Sequence, residues 1–513
     1  MNISDNPIYL TQKRLTHRTG LLAPILIAAL IGLSLLAGLI AYLADSHGIS
    51  FRSPQEAGKM FYGWTVGVEV IVLIVGGFSK ISRVLADDRK AGLWDSNRLT
   101  PMSPAQIVGG YWLGSALREF YMAMALAGIG LPIVLLAKLP LTLWFGTQVL
   151  ILGTALFFGL LAMLVGMALQ RPQGGLVMFL FFFLFFVFFQ ASSSGLPRFA
   201  ITNFLVPIYG IVNLFSEKRV SEHEWFDWYS WPEIYGLAVP PVLLSLGLQF
   251  VLGVFLWRAA VRKTANPFQP LLLRWEAIAI FALLIAVQHG LIWGIWHGDA
   301  WNATTSSSHY VRHHPDALLS IVHGGTILAG VLMLAFASPL PERVRVESLR
   351  VGAGDLRLVF ARSAVSLAFA LAAAAAIASV TQFVFSFNRN GIAWALATGN
   401  LLVFFLMFSL LLEFCRLRFN RRSLGFVALG LFLLCVLPFI LAGVFSNEAL
   451  AKLSFLAPGV TAVAGPNGDG RKYLVGVTCA HFGVVVLLYF AWRRQWKLLL
   501  AQTSSSSVIH RPM

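Results

Sequence analysis

The side chains in this sequence that could do chemistry are few and far apart. Histidines gather around one loop: His289, His297, His309, His313, His314 and His323. Neutral imidazoles are good ligands for copper, zinc or haem iron, so this loop raises a metal- or haem-handling membrane protein as one reading. Against it, only His309 and His313 have the i, i+4 spacing that would align two ligands on a helix, and they stand in a polar, serine-rich stretch that reads as a solvated loop. Cys415, Cys435 and Cys479 form no Cys-x-x-Cys pair and support neither a disulfide framework nor a thiolate metal site. The run Gly465-Pro-Asn-Gly-Asp-Gly-Arg-Lys472 approaches a phosphate-binding loop but lacks the closing Lys-Ser/Thr, which leaves a loop of turn residues. One carboxylate, Glu69, falls deep within an apolar run, where an ionisable group lines a path or hydrogen-bonds another helix. Arg118-Glu119 and Glu413 with Arg416 lie near the ends of apolar runs and read as local ion pairs.

The richest charged pattern is the stretch 86–110. Asp87-Asp-Arg-Lys90 through Arg98 contains no proline and no β-branched residue, and Gly92 is its one weak helix former, so it reads as a single helix. Leu93 and Trp94 are expected to turn towards the membrane, with Asp88, Asp95 and Arg98 facing outward. Pro101 ends that helix, because the residue before a proline is pushed out of the α region. A second helix then starts at Ser103-Pro-Ala-Gln106: the serine caps, the proline takes the first position where its missing N–H costs nothing, and Gln106 reaches back to close a capping box. Gly109, Gly110 and Gly114 let this helix pack closely against a neighbour.

The elements that must position these groups are membrane helices. With 513 residues, 58% apolar and 12% charged, and a mean hydropathy of +0.76, the chain is not a soluble globular protein. Apolar runs of about 20 residues, enough to cross a hydrocarbon core of roughly 30 Å, recur about 12 times. They lie near 20–44, 61–80, 112–137, 143–169, 175–191, 238–258, 275–297, 317–338, 362–386, 391–414, 423–445 and 473–492. The net charge of +16 is distributed by topology rather than for nucleic acid. Arg83, Arg89, Lys90, Arg98, Arg258, Arg262, Lys263, Arg274, Arg416, Arg418, Arg421, Arg422, Arg493 and Arg494 all fall on one face, which the positive-inside bias makes cytosolic together with both termini. Trp112, Trp144, Trp257, Trp275, Trp394 and Trp492 stand near span ends, as interfacial anchors do.

The expected fold is therefore an all-α polytopic membrane protein of about 12 transmembrane helices in two pseudo-repeated six-helix halves. Residues 1–265 form the first half, 266–500 a divergent second half and 501–513 a disordered tail without hydrophobic periodicity. A shared signature, Asn203-Phe-Leu-Val-Pro-Ile208 and Ser454-Phe-Leu-Ala-Pro-Gly459, stands in the late exterior loop of each half. Residues 196–216, broken by Pro197 and Pro207, read as a pair of short re-entrant helices.

The order of elements across 86–110 resembles the cytosolic coupling segment of type-two ATP-binding-cassette (ABC) exporter permeases. In that family an acidic residue opens the helix and a Thr-Pro-x-Ser-Pro turn follows; Asp88, Asp95, Thr100, Pro101 and Ser103 fill those places, with Asp where Glu is more usual. Asn6-Pro-Ile8, followed by Lys13, Arg14 and Arg18, resembles the family's interfacial elbow helix. The resemblance implies a permease subunit of the inner (plasma) membrane that moves a cargo by alternating access and is not itself an enzyme. Cytosolic ABC ATPase subunits, carrying ATP and magnesium, would dock on the segment 83–106 through Asp88, Arg89, Asp95, Arg98, Thr100, Pro101 and Ser103. The counterpart in the second half, Leu340-Pro-Glu-Arg-Val-Arg-Val-Glu-Ser-Leu-Arg350 and on to Arg362, keeps its charges at Arg343, Arg345 and Glu347 but lacks the Thr-Pro-x-Ser-Pro turn, which implies unequal docking. The family's second and fifth spans line the path, placing Glu69, Phe182 and Phe186 along it. A non-transporting permease that transduces force is the other reading. No cofactor is expected in this chain, and the cargo is not legible.

Overall fold

The computed structural model of the chain describes residues 6–18, 20–44, 54–168, 201–215, 232–267, 269–297, 315–338, 356–386, 391–419, 427, 429–431, 433–434 and 468–509. Among these the only strands are two of two residues each, β1 (Glu233–Ile234) and β2 (Leu237–Ala238), paired antiparallel as one hairpin. Everything else that is regular is helical, and eight helices are long and apolar enough to cross a bilayer. The protein is an all-α polytopic membrane protein. The expected spans 175–191 and most of 423–445 lie outside the described residues.

The described residues form two compact units. Unit one takes its residues from Met1–Arg198, Thr202–Pro232 and Val239–Pro267. It opens with α1 (Pro7–Arg18) and the first span, α2 (Leu22–Ala44). Next come α3 (Pro54–Val70), a π-helical segment (Ile71–Gly76) and α4 (Gly77–Lys90), which run on as one continuous helix. The short α5 (Leu93–Arg98) and α6 (Pro104–Gly114) lead into the spans α7 (Leu117–Leu136) and α8 (Leu141–Ala168). Two short helices, α9 (Thr202–Leu205) and α10 (Ile208–Phe215), occupy the expected broken-helix stretch, and α11 (Pro241–Ala265) completes the unit.

The sequence forms these elements for ordinary reasons. Most of α2 is Leu, Ile and Ala, and it leaves Leu22, Leu26, Ile27, Leu30 and Leu33 exposed, as a helix facing lipid should. The core of unit one is made by Leu39, Ala57, Tyr62, Val66, Leu73, Ala123, Ile133, Val134 and Ile151, contributed by α2, α3, the π segment, α7 and α8. The helix 54–90 has 37 residues. At 1.5 Å per residue that is about 55 Å, against roughly 30 Å of hydrocarbon, so its charged end (Arg83, Asp87, Asp88, Arg89, Lys90) extends beyond the apolar layer.

Unit two takes its residues from Phe199–Ile201, Glu233–Ala238 and Phe268–Met513. Its helices are α12 (Arg274–His297), α13 (Pro315–Ala337), α14 (Leu356–Arg362), α15 (Ala364–Ser386), α16 (Gly391–Phe419) and α17 (Gly468–Ile509). The hairpin β1–β2 packs on α12: the Tyr235 N–H donates to the Gly290 carbonyl at 3.0 Å and the Tyr235 hydroxyl to the Ala286 carbonyl at 2.8 Å. Residues 501–509, expected as a disordered tail, continue α17 instead, since no proline or glycine interrupts the helix there. Trp492, expected as an interfacial anchor, is 2% exposed, with its indole N–H donating to Glu413 at 2.6 Å. Each unit carries a short helix, a serine break and a long helix: α6, Ser115 and α7 in one, α14, Ser363 and α15 in the other.

Close helix packing depends on glycine at Gly58, where an added Cβ would stand 2.0 Å from the Ala137 Cβ, whereas a Cβ at Gly67 would meet nothing within 4 Å. Gly58→Ala is expected to destabilise the detergent-solubilised protein by about 1–3 kcal/mol, because α3 and α7 must move apart. Gly67→Ala, on the same helix, should leave the thermal midpoint unchanged or slightly raised, and paired melting curves check both.

Candidate functional site

The stretch 86–110 builds a compact hub at the charged end of unit one. Its first helix is not continuous. The α4 helix stops at Lys90, Gly92 adopts φ +75°, and α5 restarts at Leu93. The Ala91 and Gly92 N–H groups donate to the Asp87 and Arg89 carbonyls, closing α4 on a left-handed residue that glycine occupies without a Cβ penalty. The expectation of one helix from Asp87 to Arg98 is therefore corrected: Gly92 is its terminator.

The break changes which side chains face inward. Trp94 is 5% exposed and sits against Tyr111 with ring centroids 5.2 Å apart, but Leu93 points to solvent at 53% exposure. Asp88 does not face outward. Its Oδ2 accepts from the Tyr111 hydroxyl at 2.6 Å, and that hydroxyl accepts from Asn97 Nδ2 at 3.0 Å. The chain Asn97–Tyr111–Asp88 thus ties α5, α6 and α4 together. Burial, reinforced by the bond to Asp88, raises the Tyr111 phenol above its ordinary range, so it stays a neutral donor.

Two arginines fasten the hub to the ends of long helices. The last carbonyls of a helix have no intrahelical donor, and they carry the negative end of its dipole. Arg89 donates through Nη1 to the Gly166 and Met167 carbonyls at the end of α8. Arg98 donates through Nε to the Thr264 carbonyl at 2.7 Å and through Nη2 to that of Ala265 at 3.5 Å, at the end of α11, while its Nη1 meets Asp95 at 3.1 Å. Arg98, expected to face outward, is therefore turned inward.

The turn into α6 follows the expectation. The Ser103 hydroxyl accepts from the Gln106 N–H, the Gln106 side chain accepts from the Ser103 N–H at 2.8 Å, and Pro104 takes the first helical position. Thr100 is exposed and donates to the Asn97 carbonyl; Pro101 and Ser103 are also exposed. The glycines of α6 serve α1 more than a membrane neighbour. A Cβ at Gly110 would stand 2.8 Å from Asn6 Oδ1, and one at Gly114 3.1 Å from the Gln12 Cβ. Asn6 caps α1 through Oδ1, which accepts from the Ile8 and Tyr9 N–H groups, and its Nδ2 donates to the Gln106 carbonyl at 2.6 Å. The hub leaves outward, among others, Asp87, Lys90, Leu93, Asp95, Ser96, Leu99 at 90% exposure, Thr100, Pro101 and Ser103.

A second polar group lies inside unit one. Glu69, 2% exposed, accepts from Gln148 Nε2 on α8 at 3.0 Å. Further along α8, Thr154 exchanges hydrogen bonds with Gln249 on α11, which also donates to the Phe204 and Leu205 carbonyls of α9.

Other expected residues fall elsewhere. Phe182, Phe186, Arg343, Arg345 and Glu347 lie outside the described residues, as do His309, His313 and His314. His289 is buried on α12 with Nδ1 2.9 Å from the Ile285 carbonyl, and among the described residues no three His, Cys, Asp or Glu side chains come together as a metal site would need. Arg118 and Glu119 form the expected ion pair at 2.9 Å. Glu413 accepts from the Ala364 N–H and the Trp492 indole N–H, and Arg416, three residues on, donates to the Ala335 carbonyl at 3.3 Å. Tyr111 and Gln148 are single polar residues in apolar runs and carry no pattern of their own, and Asn97 is masked by the charged residues around it.

Arg98→Ala would strip the donors from the last carbonyls of α11, and the loss is expected to be about 1–3 kcal/mol of thermal stability in detergent. Arg98→Lys should recover only part of it, since a point ammonium cannot span both carbonyls. Compared with family models, with curated proteins and with solved structures, the chain finds no match.

Proposed function

We propose that this chain is the membrane subunit of an ATP-driven exporter of the type-two ABC kind, and that the hub 86–110 is where a separate cytosolic ATPase docks. The observation that supports the reading is the two-sidedness of that hub. Its inner face is bonded through Arg89, Arg98 and Tyr111 to the ends of α8 and α11 and to α4 and α6. Its outer face leaves Leu93 and Leu99 uncovered beside Asp95 and Lys90. A rigid piece that grips several helix ends and presents an apolar-and-charged outer surface is what a soluble subunit would need to push on those helices.

In this reading the ATPase carries ATP and magnesium, and its movement passes through α5 to Arg89 and Arg98, which shift α8 and α11. The basic face is cytosolic, the membrane is the plasma membrane, and the two units are divergent copies of one ancestral half. Glu69, Gln148, Thr154 and Gln249 give unit one a polar interior beside which an unidentified cargo would pass. The outward set for docking is narrower than the resemblance implied. Leu93, Asp95, Leu99, Thr100 and Pro101 face the partner, while Asp88, Arg89 and Arg98 hold the hub in shape.

The test is co-purification of a cytosolic ATPase with the tagged full chain, identified by mass spectrometry. Burying one leucine is worth about 1.5–3 kcal/mol, so Leu99→Arg is expected to weaken co-purification by at least roughly tenfold, with the melting curve unchanged. Leu93→Arg together with Leu99→Arg should abolish it. The chain purified alone should hydrolyse no ATP. Undiminished association in the double variant sinks the docking assignment.

A further inference from the structure

We propose that Glu69 is a proton-binding site in the apolar interior of unit one, loaded as the neutral acid and unloaded as the carboxylate, with Gln148 and Tyr62 as the groups that hold both forms. The inference does not rest on the docking of an ATPase. It starts from the surroundings of one carboxyl group. Glu69 is 2% exposed and has one hydrogen-bond partner, the neutral amide of Gln148, on its Oε2. The α8 helix, which supplies that amide, has no titratable residue along its length.

The other elements packed on this part of the helix bring no cation to it among the described residues. On its own helix, Glu56 and Lys59 lie more than two turns towards the start, and Lys80 and Arg83 are three turns or more beyond. The titratable groups of α7 are Arg118, Glu119 and Tyr121; Glu119 stands beside Gly76, two turns beyond Glu69, and is paired there with Arg118. Tyr42 is the one titratable group of α2. A buried carboxylate without a counter-ion is far costlier than the neutral acid, so a charge here calls for a bound cation.

The second observation is Tyr62. Its side chain is fully buried, it shares a face with Glu69 two turns away, and its hydroxyl stands beside Thr147 and Gln148. A buried hydroxyl is costly to leave unbonded, and it can act as donor or acceptor. Beside Gln148 it backs the amide that holds Glu69, whichever form the carboxyl takes.

Packing decides which cation fits. The Tyr62 ring stacks on Phe215 at 5.4 Å, and a Cβ at Gly130 would already stand 3.0 Å from its Cε2. A proton needs no room. On loading, a proton from water forms an O–H bond at Oε1 of Glu69, the oxygen that Gln148 leaves free; on unloading that bond breaks and the proton returns to water. The π-helical segment begins at Ile71, two residues on. Wide turns of this kind recur at functional sites, and here one stands beside the carboxyl group.

The experiment is carbodiimide labelling of the full chain in lipid nanodiscs, read by peptide mass spectrometry across a pH series, since the reagent attacks protonated carboxyls in apolar surroundings. The expected result is a label on Glu69 that declines as pH rises and is absent in Glu69→Gln. Gln148→Leu removes a donor that favours the carboxylate, so the label should persist about 1–2 pH units higher; Tyr62→Phe should move it the same way. Glu413, held by backbone and indole N–H groups, is the internal control that neither substitution shifts. A Glu69 that takes no label at any pH overturns the proposal, as does a label indifferent to pH or to Gln148→Leu.

Discussion

A helix that crosses a bilayer satisfies its own backbone everywhere but at its ends, and it is at the ends that this protein places its charges. Arg89 and Arg98 donate to the last carbonyls of α8 and α11, Arg274 to those of Ala361 and Ser363 at and just past the end of α14, and Arg416 to that of Ala335 near the end of α13. At N-termini the sign reverses: Glu413 accepts from the Ala364 N–H that opens α15, and Glu276 from the Leu273 N–H that precedes α12. Cations at carbonyl ends and carboxylates at amide ends follow the helix dipole, and each pairing also ties one helix to another or to its own cap. The basic bias of the loops is therefore more than a topological label, because several of those arginines are fasteners.

The fold was legible where physics acts locally. Long apolar runs became long helices, Ser103-Pro104-Ala105-Gln106 became a closed capping box, and Pro207 separates two short helices in the stretch 201–215. The site was legible in outline and misread in orientation. Gly92 looked like a tolerable weak residue in a helix, yet its φ of +75° ends that helix and turns α5, which puts Leu93 outside and Asp88 and Arg98 inside. Helical periodicity extrapolated through a left-handed residue assigns faces wrongly. Partners distant in sequence, such as Asp88 with Tyr111, Arg98 with Thr264 and Glu413 with Trp492, leave no mark on local spacing.

The interior of unit one follows a different rule from its ends. There the polar groups are amides and hydroxyls: Thr154 and Gln249 bond to each other, Gln249 also to the carbonyls of α9, and Gln148 to Glu69. Neutral partners satisfy hydrogen bonds without importing charge, which keeps the desolvation cost low. In the short α9 the Phe204 and Leu205 carbonyls, freed by the break that follows, are taken up by the Gln249 amide. Glu69 is the exception that stands among them.

The π-helical segment also sets the angular bookkeeping of the whole 54–90 helix. A wide turn closes i to i+5 instead of i to i+4, so it absorbs one residue that an ordinary helix would spread around its axis. At 3.6 residues per turn one residue is about 100° of rotation. The face that carries Tyr62 and Glu69 and the face that carries Asp88 and Arg89 are aligned with their separate neighbours only because that rotation is taken up between them. Rewinding Ile71–Gly76 as ordinary α-helix, with every residue kept, would leave both ends helical and both sets of side chains intact, yet about 100° out of phase. The segment works as a keyway, setting the angle at which the membrane-embedded half and the charged half of one helix meet.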